Sequence, residues 1–156
     1  MHITLETDYA IRIVDALAKA PADDDKQQMQ HTQHTQHTQR NPRKLRMDAG
    51  TIAERTEVPL RFALKILRKL VSGGIVKSYK GVYGGYELTA PLDKLSIYDV
   101  IELVEGEYRF SRCLSEGYSC NCGEDGLPCS YRAVFADVTD TVKEQLKKQT
   151  FDKLVK

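Results

Sequence analysis

Cysteine is missing from this chain of 156 residues except in one stretch of seventeen, CLSEGYSCNCGEDGLPC, from Cys113 to Cys129. Thiols confined to one segment exclude disulfides spread through the fold and point to one local piece of sulfur chemistry. A metal centre, a redox switch and a local disulfide knot are the candidates. No apolar run approaches the roughly 18 residues that a membrane-spanning helix needs. The opening MHITLETDYAIR lacks the basic-then-apolar order of a secretory signal. A cytoplasmic protein with no membrane partner is therefore expected, and in that compartment clustered cysteines favour metal binding or redox sensing over stable disulfides. Acidic residues are absent from Val58 to Tyr86, where there are six bases: Arg61, Lys65, Arg68, Lys69, Lys77 and Lys80. From Asp93 to Asp125 the balance reverses, with eight acids against three bases, so a net charge of +1 conceals two segments of opposite sign.

What is present reads as a chain of helices with one hairpin. Ala10, Ile13, Val14 and Leu17 recur at the spacing of a buried helix face, which predicts a helix over about 3–18. Composition then collapses into PADDDKQQMQHTQHTQHTQ, residues 21–39. Three HTQ triplets and almost nothing apolar predict a solvated loop within a flexible 21–47 insertion. Asp48 is a candidate N-cap for a short helix carrying Ile52 and Ala53. Pro59 suits the first turn of a second helix that runs to about Ser72 and stops at Gly73-Gly74. Two strand-like runs, 75–80 and 85–89, flank the glycine-rich tip Gly81-Val82-Tyr83-Gly84-Gly85, a hairpin signal. Ser96, with Asp99 three residues on, opens another helix that Gly106 ends. From Ser130 a long helix carries Tyr131, Val134, Phe135, Val138, Val142 and Leu146, a stripe wide enough to accept a partner helix, and TFDKLVK offers a final turn.

Two short helices, a tight turn and a hairpin make the layout of a winged helix-turn-helix. On the second helix Ala63, Ile66, Leu67 and Leu70 form the apolar face, while Arg61, Lys65 and Arg68 fall opposite it. A basic helix face beside a basic hairpin suits a major groove flanked by phosphates. The candidate DNA contacts are Arg61, Lys65, Arg68, Lys69, Lys77 and Lys80, with Tyr83 and Gly84 at the hairpin tip. Catalysis is not expected. A nucleophilic cysteine needs a neighbouring base, and His2 is terminal while His31, His34 and His37 lie in the repeat.

The four cysteines are separated by six, one and six residues. Structural zinc sites pair cysteines two to four residues apart, which this spacing does not match. Iron–sulfur clusters accept irregular loops, because thiolates approach them from several directions. Spacing alone leaves the cluster only slightly ahead of zinc or a thiol switch.

Several stretches together are similar to the Rrf family of bacterial winged-helix transcription regulators, which includes iron–sulfur, nitric-oxide and cysteine-metabolism regulators. They are HITLETDYAIR, VPLRFALKILRKLVSGGIVKSYKG, GGYELTAP, SIYDVIELVEG, the cysteine loop and TFDKLV. The resemblance implies a mostly α fold with a small β-hairpin wing: a winged helix-turn-helix domain over 1–92, a linking helix and cysteine sensor loop over 93–129, and a dimerisation helix and tail over 130–156. It implies a homodimer that binds a double-stranded DNA operator through Arg61 and Lys65 on the recognition helix and Lys80 in the wing. It also implies an iron–sulfur cluster, 2Fe-2S or 4Fe-4S, with Cys113 and Cys129 as the outer ligands and Cys120, or else Cys122, as the middle one. IscR-like members place a histidine three residues after the last cysteine, where this chain has Arg132. The replacement ligand is then the spare cysteine, or Asp8, which lies where NsrR-like members supply a carboxylate from the partner subunit. An acid in the first turn of a helix is also common for its dipole alone. Leu64 stands where some relatives carry a polar or acidic residue, so the operator need not be theirs.

Overall fold

The computed structural model describes residues 3–20, 46–82, 84–118 and 129–155. The HTQ repeat, Tyr83, Cys120 and Cys122 lie outside the described residues. Helix α1 spans Leu5–Ala18, α2 Ala49–Thr56, α3 Leu60–Ser72, α4 Ile97–Glu105, α5 Ser130–Lys147 and α6 Phe151–Leu154; strands β1 (Val76–Tyr79) and β2 (Gly85–Leu88) follow α3. The fold is mostly helical with one antiparallel hairpin, in the register Val76↔Leu88, Lys77↔Glu87, Ser78↔Tyr86 and Tyr79↔Gly85.

The helix ends form where short polar side chains meet unpaired backbone donors. Asp48 accepts from the N–H groups of Gly50 (2.8 Å) and Thr51 (3.1 Å), opening α2. Glu57 closes that helix in the left-handed conformation, φ 56°. Pro59 occupies the N-cap of α3, one residue before the expected first turn, and its carbonyl accepts from Phe62 N and Ala63 N. Ser96 and Asp99 complete a full capping box on α4. Such caps are each worth about 1 kcal/mol.

One apolar cluster joins these elements. Ile13 of α1, Ile52 of α2, Leu67 of α3, Val76 of β1, Val100 of α4 and Phe151 of α6 are all buried in it. Phe151, at 1% exposure, is held by its N–H donating to the Leu95 carbonyl at 2.9 Å. This linkage returns the C-terminal end of α5 to the body that carries α3. Met47, placed by sequence at the end of the insertion, is instead buried and pairs its backbone with Tyr86 on both sides (3.0 and 2.8 Å). It forms an isolated antiparallel bridge to β2, whose Tyr86 also pairs with Ser78 of β1. Helix α5 is different: Thr139 is its only buried residue, and Tyr131 and Val134 are 68% and 59% exposed. Among the described residues no helix is long and apolar enough to cross a membrane.

Candidate nucleic-acid interface and cysteine loop

Helix α3 turns Ala63, Ile66, Leu67 and Leu70 into the core. By helical geometry the opposite face carries Arg61, Lys65 and Arg68, and all three are exposed. Arg61 lies with its guanidinium 4.9 Å from the centre of the Phe62 ring, which in turn packs against Tyr9 of α1. Lys65 and Lys69 point to one side. Their ammonium groups straddle the Glu6 carboxylate of α1, at 3.0 and 2.8 Å, and Lys69 also donates to the Val104 carbonyl at the end of α4 (3.1 Å). Lys69 is therefore half-buried between three helices, whereas Lys65 remains largely exposed. In the sequence, helical spacing put Lys65 on the reading face, and the run of bases without acids added Lys69 to the candidate DNA contacts. Glu6 lies 59 residues away from Lys65, so no local pattern announces the pairing.

Lys69 foremost, with a lesser contribution from Lys65, holds the Glu6 carboxyl below its ordinary range against the opposing effect of burial, which ranks between the two. A depressed carboxyl contributes stability above its unfolded-state pKa and loses it as pH falls through the folded-state value. The pairs are partly exposed, so Glu6→Gln is expected to lower stability at pH 7 by no more than about 1 kcal/mol. The difference in urea midpoint between the two proteins is expected to vanish as pH drops below 4.5, the ordinary value. A gap that persists unchanged to pH 3 would show that the ion pairs are not its source.

A second acid, Glu105 at the last turn of α4, fixes the start of α1. Its carboxylate accepts from Thr4 N (3.0 Å), Thr4 Oγ1 (2.8 Å) and Thr7 Oγ1 (2.5 Å). A negative group at a helix N-terminus is favoured by the helix dipole. The N-terminus of α1, the side of α3 and the C-terminus of α4 thus meet in one polar junction. Neither Glu6 nor Glu105 stood out in the sequence, because their partners are set by the tertiary fold.

In the hairpin, Lys77 and Lys80 are exposed. The Arg46 guanidinium stacks 3.5 Å from the Tyr79 ring centre and faces Glu87 at 3.7 Å. Tyr79 therefore serves the wing's shape. Gly84 N donates to Gly81 O at 2.9 Å to close the tip. A Cβ on Gly84 would come within 2.8 Å of Gly81 O and closer still to Tyr79 O, so this tight turn needs glycine there.

The chain leaves α4 through Gly106 and is then tied to α5. Glu107 bridges Arg109 (2.6 Å) and Lys143 of α5 (3.0 Å), and this contact raises the pKa of the Lys143 ammonium. Phe110 stacks on Phe135 with ring centres 5.6 Å apart, and its N–H donates to Thr139 Oγ1 at 3.1 Å. Cys113 follows within a single 3-10 turn, Arg112–Leu114, that packs on α5. Cys129 is the N-cap residue of α5, its carbonyl accepting from Arg132 N at 3.1 Å. Both thiols are free and half-buried. Helix α5 thus anchors both ends of the cysteine loop. Asp8 is on α1, 45% exposed and paired with Arg12 at 2.9 Å. Free, partly shielded thiols suit an iron–sulfur cluster, which is held by cysteine thiolates. The Asp8 ion pair with Arg12 engages one carboxylate oxygen, Oδ2. Among the described residues no three potential ligands come together.

With this geometry in place, the known proteins decide the affiliation. The family model described as Rrf2, iron-dependent transcriptional regulator, matches residues 35–156. The chain belongs to the Rrf2 family. An Aquifex aeolicus protein, classed by its sequence as a helix-turn-helix-type transcriptional regulator, is 30% identical over 104 residues, covering 67% of this chain and 72% of that protein. The Vibrio campbellii regulator IscR is 28% identical over 105 residues, covering 67% and 60%. Among solved structures, the global cysteine regulator CymR of B. subtilis superposes with a TM-score of 0.67 at 21% identity, covering 99% of this chain and 96% of CymR. IscR of T. potens superposes with a TM-score of 0.65 at 18% identity, covering 99% and 85%. This Rrf2 protein therefore has the winged-helix fold expected from its sequence, with α2 and α3 as the helix-turn-helix and β1–β2 as the wing. As an Rrf2 transcriptional regulator it acts through DNA.

Proposed function

We propose that this Rrf2 protein is a homodimeric, sequence-specific DNA-binding regulator whose affinity for its operator is set by an iron–sulfur cluster in the Cys113–Cys129 loop. The observation that carries the reading is the anchoring of both loop ends on α5, together with the polar junction that joins α4 to the recognition helix α3. Cys113 and Cys129 are the outer ligands, and Cys120 or Cys122 the third. The fourth is the spare cysteine or Asp8 of the partner copy. When bound, the cluster supplies a redox-sensitive and nitric-oxide-sensitive centre.

The residues of this chain perform the remaining work. Arg61 and Arg68 face the major groove, Lys65 shares itself between Glu6 and DNA, and Lys77, Lys80, Tyr83 and Gly84 bring the wing to the backbone. Lys69 is better placed to hold α3 on α1 and α4 than to reach DNA. A second copy covers α5: its stripe of Tyr131, Val134, Phe135, Val138, Val142 and Leu146 extends over a helix roughly 27 Å long, yet only Thr139 is buried by the chain itself. Glu107 and Phe110, which tie the segment before Cys113 to α5, and the junction at Glu105 would carry a change at the cysteine ligands to the way α3 is presented. Equilibria between two dimer arrangements need only a few kcal/mol of difference in such contacts.

The test is anaerobic purification followed by absorbance spectroscopy with iron, acid-labile sulfide and zinc analysis. Visible absorption with iron and sulfide in equal amounts is expected. A colourless anaerobic protein with one zinc per chain would overturn the cluster. A thiol–disulfide switch is the second reading, favoured by Arg132 at the position where IscR-like members place a histidine. It predicts a metal-free protein whose DNA affinity changes with a reversible oxidant.

A further inference from the structure

From Val58 to Tyr86, across the recognition helix, the first strand of the wing and the start of the second, there is no Asp, Glu, Asn or Gln; the next residue, Glu87 of β2, faces Arg46. The major groove offers four kinds of base edge. Carboxylates read cytosine N4, carboxamides read adenine N6 with N7, guanidinium or ammonium groups read guanine O6 with N7, and aliphatic side chains read the thymine methyl. The first two modes have no side chain to perform them here.

The other two are both supplied. Arg61 and Arg68 are exposed on the outward face of α3, two turns apart, and among the described residues neither makes an ion pair. Beside them run Leu60 and Leu64, one turn apart at i and i+4. Leu60 is 48% exposed in the first position of the helix, where recognition helices meet base edges. Leu64 is partly exposed and does not belong to the apolar core or to the residues packed against it. Leu60 and Leu64 thus stand outside the core in a segment with six bases and no acid. The hydroxyl of Ser72, the remaining small polar group on the helix, already donates to the Lys69 carbonyl at 2.9 Å.

We infer that the recognition helix reads its half-site through guanines and thymine methyls alone, with Leu60 and Leu64 as the specificity-determining residues for thymine. The inference rests on the DNA-binding function proposed above. Adenine and cytosine appear in the site only as the pairing partners of the bases that are read.

The experiment selects a binding site from random duplex DNA with the full-length protein, then rebuilds that site with single-base analogues. Deoxyuridine in place of a contacted thymine removes one methyl and is expected to weaken binding about fourfold per position. Replacing a contacted guanine with 7-deazaguanine deletes the N7 acceptor and is expected to cost about tenfold or more. The same change at adenines is expected to leave affinity within about twofold. In Leu60→Ala and Leu64→Ala, thymine and deoxyuridine sites are expected to bind equally. A selected site that binds wild type with the same affinity after deoxyuridine replacement, or that loses tenfold with 7-deazaadenine, overturns the inference and leaves DNA binding intact. Selection that enriches no sequence removes the sequence-specific DNA-binding reading itself, and the inference with it.

Discussion

Replacing Arg61 and Arg68 together with alanine is expected to weaken operator binding by on the order of 100-fold or more while the dimer remains assembled. Each bidentate contact between arginine and guanine is worth roughly 1–3 kcal/mol of base discrimination. Both side chains are exposed on the face of α3 opposite the core, so their removal opens no cavity. The mobility shift should be lost for the selected site but only reduced for non-specific DNA, where wing lysines still meet phosphates. The slope of affinity against salt separates the two kinds of contact: Lys80→Ala is expected to reduce it by about one counterion. Unchanged affinity in the double arginine variant would contradict the assignment of α3 as the reading helix.

Replacing Cys113 with serine is expected to remove cluster binding altogether, as shown by loss of visible absorption and of iron and sulfide. Cys113 sits in the single 3-10 turn between Phe110, which is pinned to α5, and the remainder of the loop. Its thiol is half-buried and free, and serine is nearly the same size, so the fold should survive. A serine hydroxyl is a poor ligand for iron beside a thiolate. Comparison of Cys120→Ser with Cys122→Ser then sorts the middle ligand from the spare, and Asp8→Ala reports on the partner carboxylate. If Cys113→Ser retains iron, sulfide and colour at wild-type levels, the loop is not the site.

The parts of this molecule that were legible in the sequence are those governed by neighbours a few residues away. Asp48 and Ser96 announced their helices because a cap acts over three residues, and both cap as expected. The apolar spacing of Ala63, Ile66, Leu67 and Leu70 gave the buried face of α3, and hence the exposed position of Arg61 and Arg68. Glycine placement marked the hairpin. What stayed hidden depends on contacts between distant segments. Lys69 looked like one more base on a basic helix until Glu6 and the Val104 carbonyl were beside it. Glu105 looked like an ordinary helical acid, although it holds Thr4 and Thr7 about a hundred residues away. Met47 is a single apolar residue between Arg46 and Asp48, too short a signal to separate a strand partner from the end of a polar insertion. Of the cysteine site, Cys113 and Cys129 have a place in the fold; Cys120 and Cys122, like Tyr83, lie outside the described residues.

If the cysteine loop is the sensor proposed above, the pairing of Lys65 with Glu6 gives it a physical route to the recognition helix. In that reading the Glu6 carboxylate would compete with phosphate for the same ammonium group, and Glu6 sits on α1, whose start is fixed by Glu105 of α4. On the function proposed here, a small displacement of α4 would reach α3 through these contacts.

The central claim is that the state of the cysteine loop controls operator affinity. One measurement tests it most directly: an anaerobic titration of the selected operator with a single preparation, first as isolated and then after exposure to nitric oxide or chelation of its iron. Metal content and absorbance are followed on the same samples. The account predicts at least a tenfold change in affinity that tracks the loss of cluster absorption and disappears in Cys113→Ser. Identical affinities before and after complete loss of the cluster would contradict it.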